Sequence, residues 1–303
     1  MTSFDVVEAG LAVATARAAT PLLWALLGET LGQRAGVVNL GTEGQMLIGA
    51  ATAFGVTSAS GSPWLGFVAG AFAGVTLSSL HAAMCLRFRA NQFASGLAVW
   101  MIGFGLSSYL GDKLVGESIT GFRELGATRF GARLPFIAHV TPTTLLGFAA
   151  TLGLGLFLYR TRSGLTLRAV GESRAAARAA GVRVDLVQAL ALLAGGALSG
   201  AGGAVLSIDY AQTWAEGMTQ GRGLVAVGLV IVARWNPYLA LPAALLFGGA
   251  EALVLRLQSA GSDSSAHLLH MLPYLTALFV LVVSCLRKTH TTAPAELRTV
   301  LER

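Results

Sequence analysis

The chain has 303 residues, of which 54% are hydrophobic and 12% are charged, and its mean hydropathy is +0.67. Soluble domains carry about 25% charged residues, so this composition excludes an ordinary soluble protein and predicts one that spans a lipid bilayer. The net charge of +6 does not indicate nucleic-acid binding, because the basic residues lie in short loops between apolar segments and form no aromatic-lined basic face.

Nine apolar segments follow one another along the chain, each near the roughly 20 residues that a helix needs to cross about 30 Å of hydrocarbon. The predicted crossings lie near residues 6–28, 42–59, 64–86, 93–111, 142–160, 188–207, 217–233, 237–257 and 268–286. The seventh has a short apolar core, Leu224 to Ala233, so we expect it to be broken or to reach only partway. The sequence therefore predicts an all-α, polytopic transmembrane bundle of about nine spans (8–10) that forms a single domain over residues 1–303.

Lysine and arginine predict the orientation of this bundle. Fourteen of them lie on one side of the predicted crossings and six on the other, while Arg17 lies inside the first crossing. The richer side is cytoplasmic by the positive-inside rule, which places the C-terminus inside and, for nine full crossings, the N-terminus outside. A half-helix near residues 36–41 would change that count. We expect Arg17 to pair with a carboxylate, the candidates being Glu29, Glu43 and Glu251.

Glycines at four-residue spacing predict where helices pack closely. Gly66, Gly70 and Gly74 form one such stripe, and Gly196 and Gly200 form another. Small residues let helix backbones approach one another in lipid, so we interpret both stripes as packing surfaces and not as ligand sites.

Two loops are long enough to have a role of their own. The extracytoplasmic loop, over about residues 112–141, mixes both signs of charge with glycine and proline. The cytoplasmic loop, over about residues 161–187, contains the segment Glu172 to Ala180, which is rich in alanine and arginine and lacks proline. That composition predicts a short helix, and Gly181 is placed to end it. A short helix between two crossings on the cytoplasmic face indicates a docking element.

The sequence lacks the signatures of several enzyme classes. Neither Lys113 nor Lys288 follows a glycine as the lysine of a P-loop does, so the chain has no such ATPase site. His-Glu-x-x-His and Gly-x-Ser-Gly are also absent. His267 and His270 have a metal-like spacing but no third ligand near them in sequence. We therefore predict that the chain is not an enzyme and holds no metal and no cofactor.

The segment Leu31 to Ala50 reads LGQRAGVVNLGTEGQMLIGA, and Gly36 to Gly44 matches the pattern Gly-Val-Val-Asn-[Leu/Ile]-Gly-x-Glu-Gly. This segment resembles the N-terminal signature of permease subunits of ABC importers in the branched-chain amino acid, simple sugar and nucleoside superfamily. The nucleoside-type permeases are the most similar in pattern. Residues 90–92, 171–181 and 221–237 resemble further segments of that family, so the likeness covers about residues 25–255. Thr42 and Gln45 depart from the family's more apolar pattern.

The resemblance implies the membrane-spanning permease subunit of an ATP-driven importer that forms the translocation path for a nucleoside or related sugar-like solute. Relatives of this architecture carry simple sugars or branched-chain amino acids, and those alternatives stay open. An ion-coupled secondary transporter is a further alternative, but it leaves the cytoplasmic helix unexplained. A membrane of a bacterial cell is the implied location.

The same resemblance implies partners. These are cytoplasmic ATP-binding subunits that carry ATP and Mg, a second permease subunit expected to be non-identical, an extracytoplasmic solute-binding protein, and membrane lipid. The residues implied to couple this chain to the ATPase are Gly171, Glu172, Arg174, Arg178, Ala180 and Gly181.

Polar and aromatic residues within or beside the crossings are the candidates for solute contact, because polar groups are costly inside a membrane. Asn39 and Glu43 share a face if their stretch is helical, and there they either bind a ribose or base edge or tie a kinked helix to its neighbours. Trp100 either stacks on a planar base or packs in the core. Asp209 and Trp214 follow the sixth crossing and form an external gate, a landing site for the binding protein, or an interfacial belt.

Overall fold

A computed structural model describes residues 3–127, 139–259, 269, 271–286 and 293–297. Over these residues the secondary structure is helical, with one isolated β-bridge between Ser118 and Thr213. In chain order the α-helices are α1 (Ser3–Arg34), α2 (Thr42–Ser60), α3 (Pro63–Ala82), α4 (Gln92–Gly111), α5 (Pro142–Arg160), α6 (Arg162–Glu172), α7 (Arg174–Ala179), α8 (Val184–Val205), α9 (Arg222–Val232), α10 (Pro237–Ser259) and α11 (Leu272–Leu286). Short π-helical turns, Ala83–Arg87 and Leu206–Tyr210, extend α3 and α8.

Six stretches of helix in the described part of the chain are long and apolar enough to cross a membrane. They are Gly10–Arg34, Pro63–Arg87, Gln92–Leu114, Pro142–Arg160, Val184–Tyr210 and Pro237–Ser259. The all-helical, polytopic fold is therefore confirmed, whereas the predicted number of nine spans is not. The other three predicted crossings coincide with α2, α9 and α11. Helix α9 has 11 residues, or about 16 Å of length, so the seventh crossing is partial as its short apolar core predicted.

The two predicted glycine stripes pack against each other at the centre of the bundle, where α3 meets α8. A Cβ atom on Gly74 would collide with the backbone oxygen of Gly196, and one on Gly200 would collide with the backbone oxygen of Gly70. Helix α2 approaches α8 just as closely at Gly49. These contacts confirm the packing interpretation, because only a missing side chain lets the backbones come this near.

Two irregular segments interrupt the helices. The inner break, residues 35–41, joins α1 to α2 and forms a turn followed by extended backbone, not the half-helix that would have changed the span count. The backbone N–H of Val38 donates to Gln92 Oε1 at the start of α4 (2.9 Å), and Gly41 packs against Val99 further along α4. The inner break therefore runs along α4 from the end of the bundle where Arg174 contacts Gly36.

The outer break, residues 211–221, joins α8 to α9 and follows α4 from the opposite end. Trp214 packs on Gly111 at the last turn of α4, and Ser108 Oγ donates to Glu216 Oε1 at 2.8 Å. Gly217 lies beside Phe104, which is one helical turn before Ser108 on α4. The two breaks thus approach each other at the middle of α4.

The cytoplasmic loop contains two helices where the sequence predicted one. The predicted short helix over Glu172 to Ala180 is α7, which begins at Arg174 and ends at Ala179, whereas α6, which ends at Glu172, was not predicted. Ser173 between them has extended backbone, and its hydroxyl accepts from the Ala176 N–H at 3.2 Å as an N-cap. The predicted stop at Gly181 is confirmed: its φ is +82°, and Val182 N–H donates to the Ala177 oxygen as in a Schellman motif.

Candidate functional site

Glu43, in the first turn of α2, joins the two breaks. Its Oε1 accepts from Thr219 Oγ1 at 2.6 Å and from the Gly221 N–H at 2.8 Å, and its Oε2 accepts from the Gly223 N–H at 2.6 Å. Because α9 begins at Arg222, the carboxylate lies on the unpaired N–H groups of that helix start, where a negative charge is stabilised. Glu43 is buried, so this contact holds α9 against α2 inside the bundle.

Glu29, near the end of α1, organises the inner break. Its Oε1 accepts from Gln33 Nε2 at 3.0 Å and from the Asn39 N–H at 3.1 Å, and its Oε2 accepts from Thr42 Oγ1 at 3.1 Å. Glu29 is 2% exposed, and a buried polar network with every member satisfied makes its surroundings rigid. From the sequence, Glu29 was expected only as a candidate partner for Arg17. Its four-residue spacing from Gln33, on one helix face, was the available signal.

Asn39 does not share a helix face with Glu43, because α2 begins only at Thr42. The Asn39 side chain accepts from the Gly41 N–H at 2.9 Å, within its own turn. Both residues are buried. The contacts of this pair are those of the structural alternative, in which the two residues tie irregular chain to its neighbours.

The outer break is exposed and conformationally strained. Ala211, Ala215, Glu216 and Gln220 are all exposed to the outside of the single chain. Gln220 has a φ of 49°, a left-handed conformation that side chains other than glycine adopt at a cost. The exposed face of the outer break is therefore open, in the single chain, to the surroundings of the bundle.

A cavity of about 360 Å³ lies under the outer break, between the end of α8, α10 and the start of α11. An ion pair between Arg222 of α9 and Glu251 of α10 forms part of its wall. Arg222 is 8% exposed. The volume falls within the range of about 300–1,000 Å³ that is usual for small-molecule sites.

The other predicted contact residues lie around this region. Trp100 is half-buried, and its backbone packs on Gly44 next to Glu43. Asp209 is buried and accepts hydrogen bonds from Thr141 Oγ1 (2.7 Å) and from Thr143 Oγ1. Trp214 is 2% exposed and packs in an apolar cluster of the bundle. Neither Asp209 nor Trp214 lies on an outer surface, and the part of Trp100, Asp209 and Trp214 in solute passage stays a prediction.

Arg17 does pair with a carboxylate, but with none of the three predicted. Its Nη1 lies 3.5 Å from Glu124 Oε1 in the extracytoplasmic loop. Glu29 accepts a hydrogen bond from the inner break, Glu43 accepts hydrogen bonds from the outer break, and Glu251 forms an ion pair with Arg222. Among the described residues no three histidine, cysteine, aspartate or glutamate side chains cluster, and the pair His267 and His270 lies outside those residues.

The predicted coupling residues lie directly against the inner break. Arg174 Nη2 donates to the Gly36 oxygen at 3.0 Å, and Gly171 is pressed so closely on the Arg34 oxygen that no side chain fits there. Glu296, near the C-terminus, accepts from the Arg174 N–H at 2.9 Å and also pairs with its guanidinium. A displacement of α7 would therefore move the start of the inner break.

The remaining coupling residues have lighter contacts. Arg178 pairs with Asp185 at 2.9 Å, and both side chains are more than half exposed. Glu172 Oε2 accepts from the Ala295 N–H at 3.4 Å, and Ala180 is exposed at the end of α7. The outward face of α7 is consequently open to a partner, while Arg174 faces the membrane part of the chain.

Comparisons with known proteins identify the family of the chain. Residues 11–283 match the family described as "Branched-chain amino acid transport system / permease component". A protein of Haloferax volcanii named as a candidate glucose ABC transporter permease is 44% identical over 258 residues, which is 83% of this chain and 78% of that protein.

Two further relatives have nucleosides in their names. A guanosine ABC transporter permease protein of Bacillus subtilis is 31% identical over 252 residues, 78% of each chain. A nucleoside ABC transporter permease protein of Lactococcus lactis is 32% identical over 284 residues, 87% of this chain and 88% of that protein. No solved structure matches the chain.

Proposed function

The chain belongs to the branched-chain amino acid transport system permease family, and we propose that it lines the path by which a nucleoside or a related sugar-like solute enters the cell. It is a permease component of an ABC transporter, and its relatives are permease subunits and not enzymes. ATP and Mg are held by separate cytoplasmic subunits, since neither lysine of this sequence stands in a P-loop.

The observation that supports the path is the outer break, which is exposed, irregular and located at the depth where α2 and α9 begin. Discontinuous helices whose N-termini meet near the middle of the membrane are a recurring way to build transport sites. Glu43 fixes this meeting point through Thr219 and Gly221. The solute passes on the exposed side of the outer break, close to Gln220 and Trp100.

ATP hydrolysis reaches the path through the cytoplasmic helix pair. The ATPase subunits contact the open face of α7, and Arg174 transmits the movement to Gly36. From Gly36 the inner break leads directly to Thr42 and Glu43, and hence to the outer break. A rigid inner break is required for this transmission, because a flexible segment would absorb the displacement.

The identity of the solute rests on what the named solutes of the relatives share. Glucose and guanosine are neutral and present vicinal hydroxyl groups, whereas a branched-chain amino acid carries two charges and no hydroxyl. The relative at 44% identity is named for glucose, and those at 31% and 32% are named for nucleosides. The proposal therefore includes both a sugar and a nucleoside as the solute.

The surroundings of the chain follow from the same proposal. A second permease subunit covers the exposed side of the outer break, and a solute-binding protein delivers solute from outside. About nine crossings with a cytoplasmic C-terminus place both the coupling helices and the arginine-rich loops on the inner side of the membrane of a bacterial cell.

Uptake of labelled guanosine, glucose and leucine in cells lacking this chain, with and without its gene restored, tests the proposal. We expect the restored chain to support guanosine or glucose uptake that persists when an uncoupler is added and ATP is maintained. Restored leucine uptake alone would overturn the solute assignment. Uptake abolished by the uncoupler at constant ATP would instead favour an ion-coupled carrier.

A further inference from the structure

The last turn of α1 holds the end of α9 that Glu43 does not reach. Gln33 Oε1 accepts from Trp235 Nε1 at 2.7 Å, and Arg34 Nε donates to the Trp235 oxygen at 2.6 Å. Gln33 Nε2 also donates to the Val227 oxygen in the middle of α9 at 3.3 Å. Gln33 and Arg34, which we call the α1 clamp, therefore hold Trp235 by its side chain and its backbone at once.

Trp235 is bonded to α9 as well as being next to it in the chain. Its backbone N–H donates to the Val230 oxygen in the last turn of α9 at 3.0 Å. The indole packs against the apolar cluster that contains Leu229 and Val230. Helix α9 is a single regular helix of 11 residues, about 16 Å long. A displacement at Trp235 is therefore carried to the start of α9, where the outer break ends.

The turn that follows α9 holds two successive residues in a strained backbone conformation. Arg234 has a φ of 54° and Trp235 has a φ of 52°, and neither residue is a glycine. The left-handed conformation costs free energy at such residues and persists only where the surrounding structure imposes it. The two hydrogen bonds from the α1 clamp to Trp235 oppose relaxation of this turn. Strain held in place by a few specific contacts is typical of segments that move in function.

Helix α6 covers the other side of the α1 clamp. A Cβ atom on Gly171 would collide with the Arg34 backbone oxygen, so no side chain separates the two segments. Arg34 Nη2 also donates to the Tyr159 hydroxyl in the last turn of α5, which leads into α6, at 3.3 Å. A displacement of α6 therefore presses directly on Arg34, whereas a displacement of α7 acts through Arg174 on the inner break.

We propose that the α1 clamp is a positioning device for α9, through which movement of α6 shifts α9 and the outer break in each transport cycle. This assignment rests on the proposed function and adds a second connection to it. The first connection runs from Arg174 along the inner break to Glu43, and the second runs from Gly171 through Arg34 to Trp235. Helix α9 is then held at both ends, so it moves as one body and does not tilt about its start.

The test follows the outer break directly and needs no solute. Cys85 and Cys285, the two cysteines of the chain, are replaced by alanine, and Gln220→Cys places a thiol at an exposed position of the outer break. The full transporter is assembled in lipid nanodiscs, and the rate of maleimide labelling of this thiol is compared before and after trapping of the ATPase with ATP and vanadate. We expect trapping to change the labelling rate several-fold.

Two substitutions of the same kind separate the clamp from a general effect on folding. Trp235→Phe keeps an aromatic ring but removes the indole N–H, and it should reduce the change in labelling about fivefold while ATP hydrolysis by the assembled transporter persists. Trp64→Phe makes the same replacement in α3, where the ring packs on Phe122, and it should retain the full change. An equal change in the two variants would overturn the clamp.

Arg34→Lys serves if Trp235→Phe does not assemble, because it keeps the positive charge but cannot bond the Trp235 oxygen and the Tyr159 hydroxyl in the same geometry. A full change in labelling in Arg34→Lys would then overturn the clamp. Uptake of guanosine or glucose without any change in labelling on trapping would overturn the clamp alone. Uptake of neither solute, with a clamp-dependent change in labelling, would overturn the proposed solute and leave the clamp supported.

Discussion

The inner and outer breaks interrupt the helices of one bundle, but they are built in opposite ways. Every residue of the inner break is buried or half-buried, and its polar groups are met by Glu29, Gln92 and His81, which lies 3.3 Å from the Val38 oxygen. The outer break has four exposed residues and left-handed backbone at Gln212 and Gln220. In the proposed function, the satisfied and buried segment transmits displacement, whereas the strained and exposed one borders the path. Exposure and hydrogen bonding therefore separate the two roles.

The largest effect is expected when the inner break loses its acceptor. Glu29→Ala removes the partner of the Asn39 N–H completely, while Gln33 and Thr42 retain second acceptors. We expect a loss of about 2–4 kcal/mol of stability, a large part of the usual total. The yield of monodisperse protein and its apparent Tm in detergent measure this. Glu117→Ala, which removes an exposed carboxylate, is the control, and an equal Tm for the two variants would show that the inner break is not rigidly held.

The next effect concerns the link between the breaks. Glu43→Ala leaves three donors, on Thr219, Gly221 and Gly223, without their acceptor. Water reaches some of them from the outer break, so we expect a smaller stability loss of about 2 kcal/mol together with loss of transport. Glu43→Gln keeps one acceptor oxygen and should lie between. Wild-type transport in Glu43→Ala would mean that movement does not pass from one break to the other.

A smaller effect on stability, but a selective one on coupling, is expected at α7. Arg174→Ala removes the contact with Gly36, whereas Arg178→Ala removes only an exposed ion pair worth about 0–1 kcal/mol. We expect Arg174→Ala to lower solute uptake several-fold while ATPase activity of the assembled transporter persists. Arg178 lies on the face of α7 that contacts the ATPase in the proposed function, so Arg178→Ala should lower ATPase activity together with uptake. Uptake in Arg174→Ala equal to that of the wild-type protein would contradict transmission through the inner break.

The smallest effect is expected when the backbone strain at Gln220, in the outer break, is relieved. Gln220→Gly removes a side chain from a residue with a φ of 49° and should raise stability by about 1 kcal/mol, because glycine adopts this conformation freely. Gln220→Ala removes the same side-chain functional group without relieving the backbone, so it serves as the matched control. A higher Tm in both variants would show that the gain in stability comes from loss of the glutamine side chain and not from relief of backbone strain.

Much of the local structure could be predicted because it depends on neighbouring residues. Gly181 ends α7 as its position indicated, and the short apolar core of the seventh crossing appears as the 11-residue α9. The N-cap at Ser173 was missed, although serine is a preferred N-cap, because the prediction rested on the alanine- and arginine-rich composition of the segment Glu172 to Ala180 as a whole. Within single helices, composition and spacing were sufficient.

The membrane class, the helical segments and the close packing of Gly70 and Gly74 could be predicted from the sequence, since these follow from hydropathy and from spacing along one helix. Which charges meet depends on the tertiary structure. Glu43 binds donors 176 to 180 positions away, and Arg17 pairs with Glu124, 107 positions away. Nothing local distinguishes one buried carboxylate from another. Their partners are set by how the helices cross, and the crossing is a property of the whole bundle.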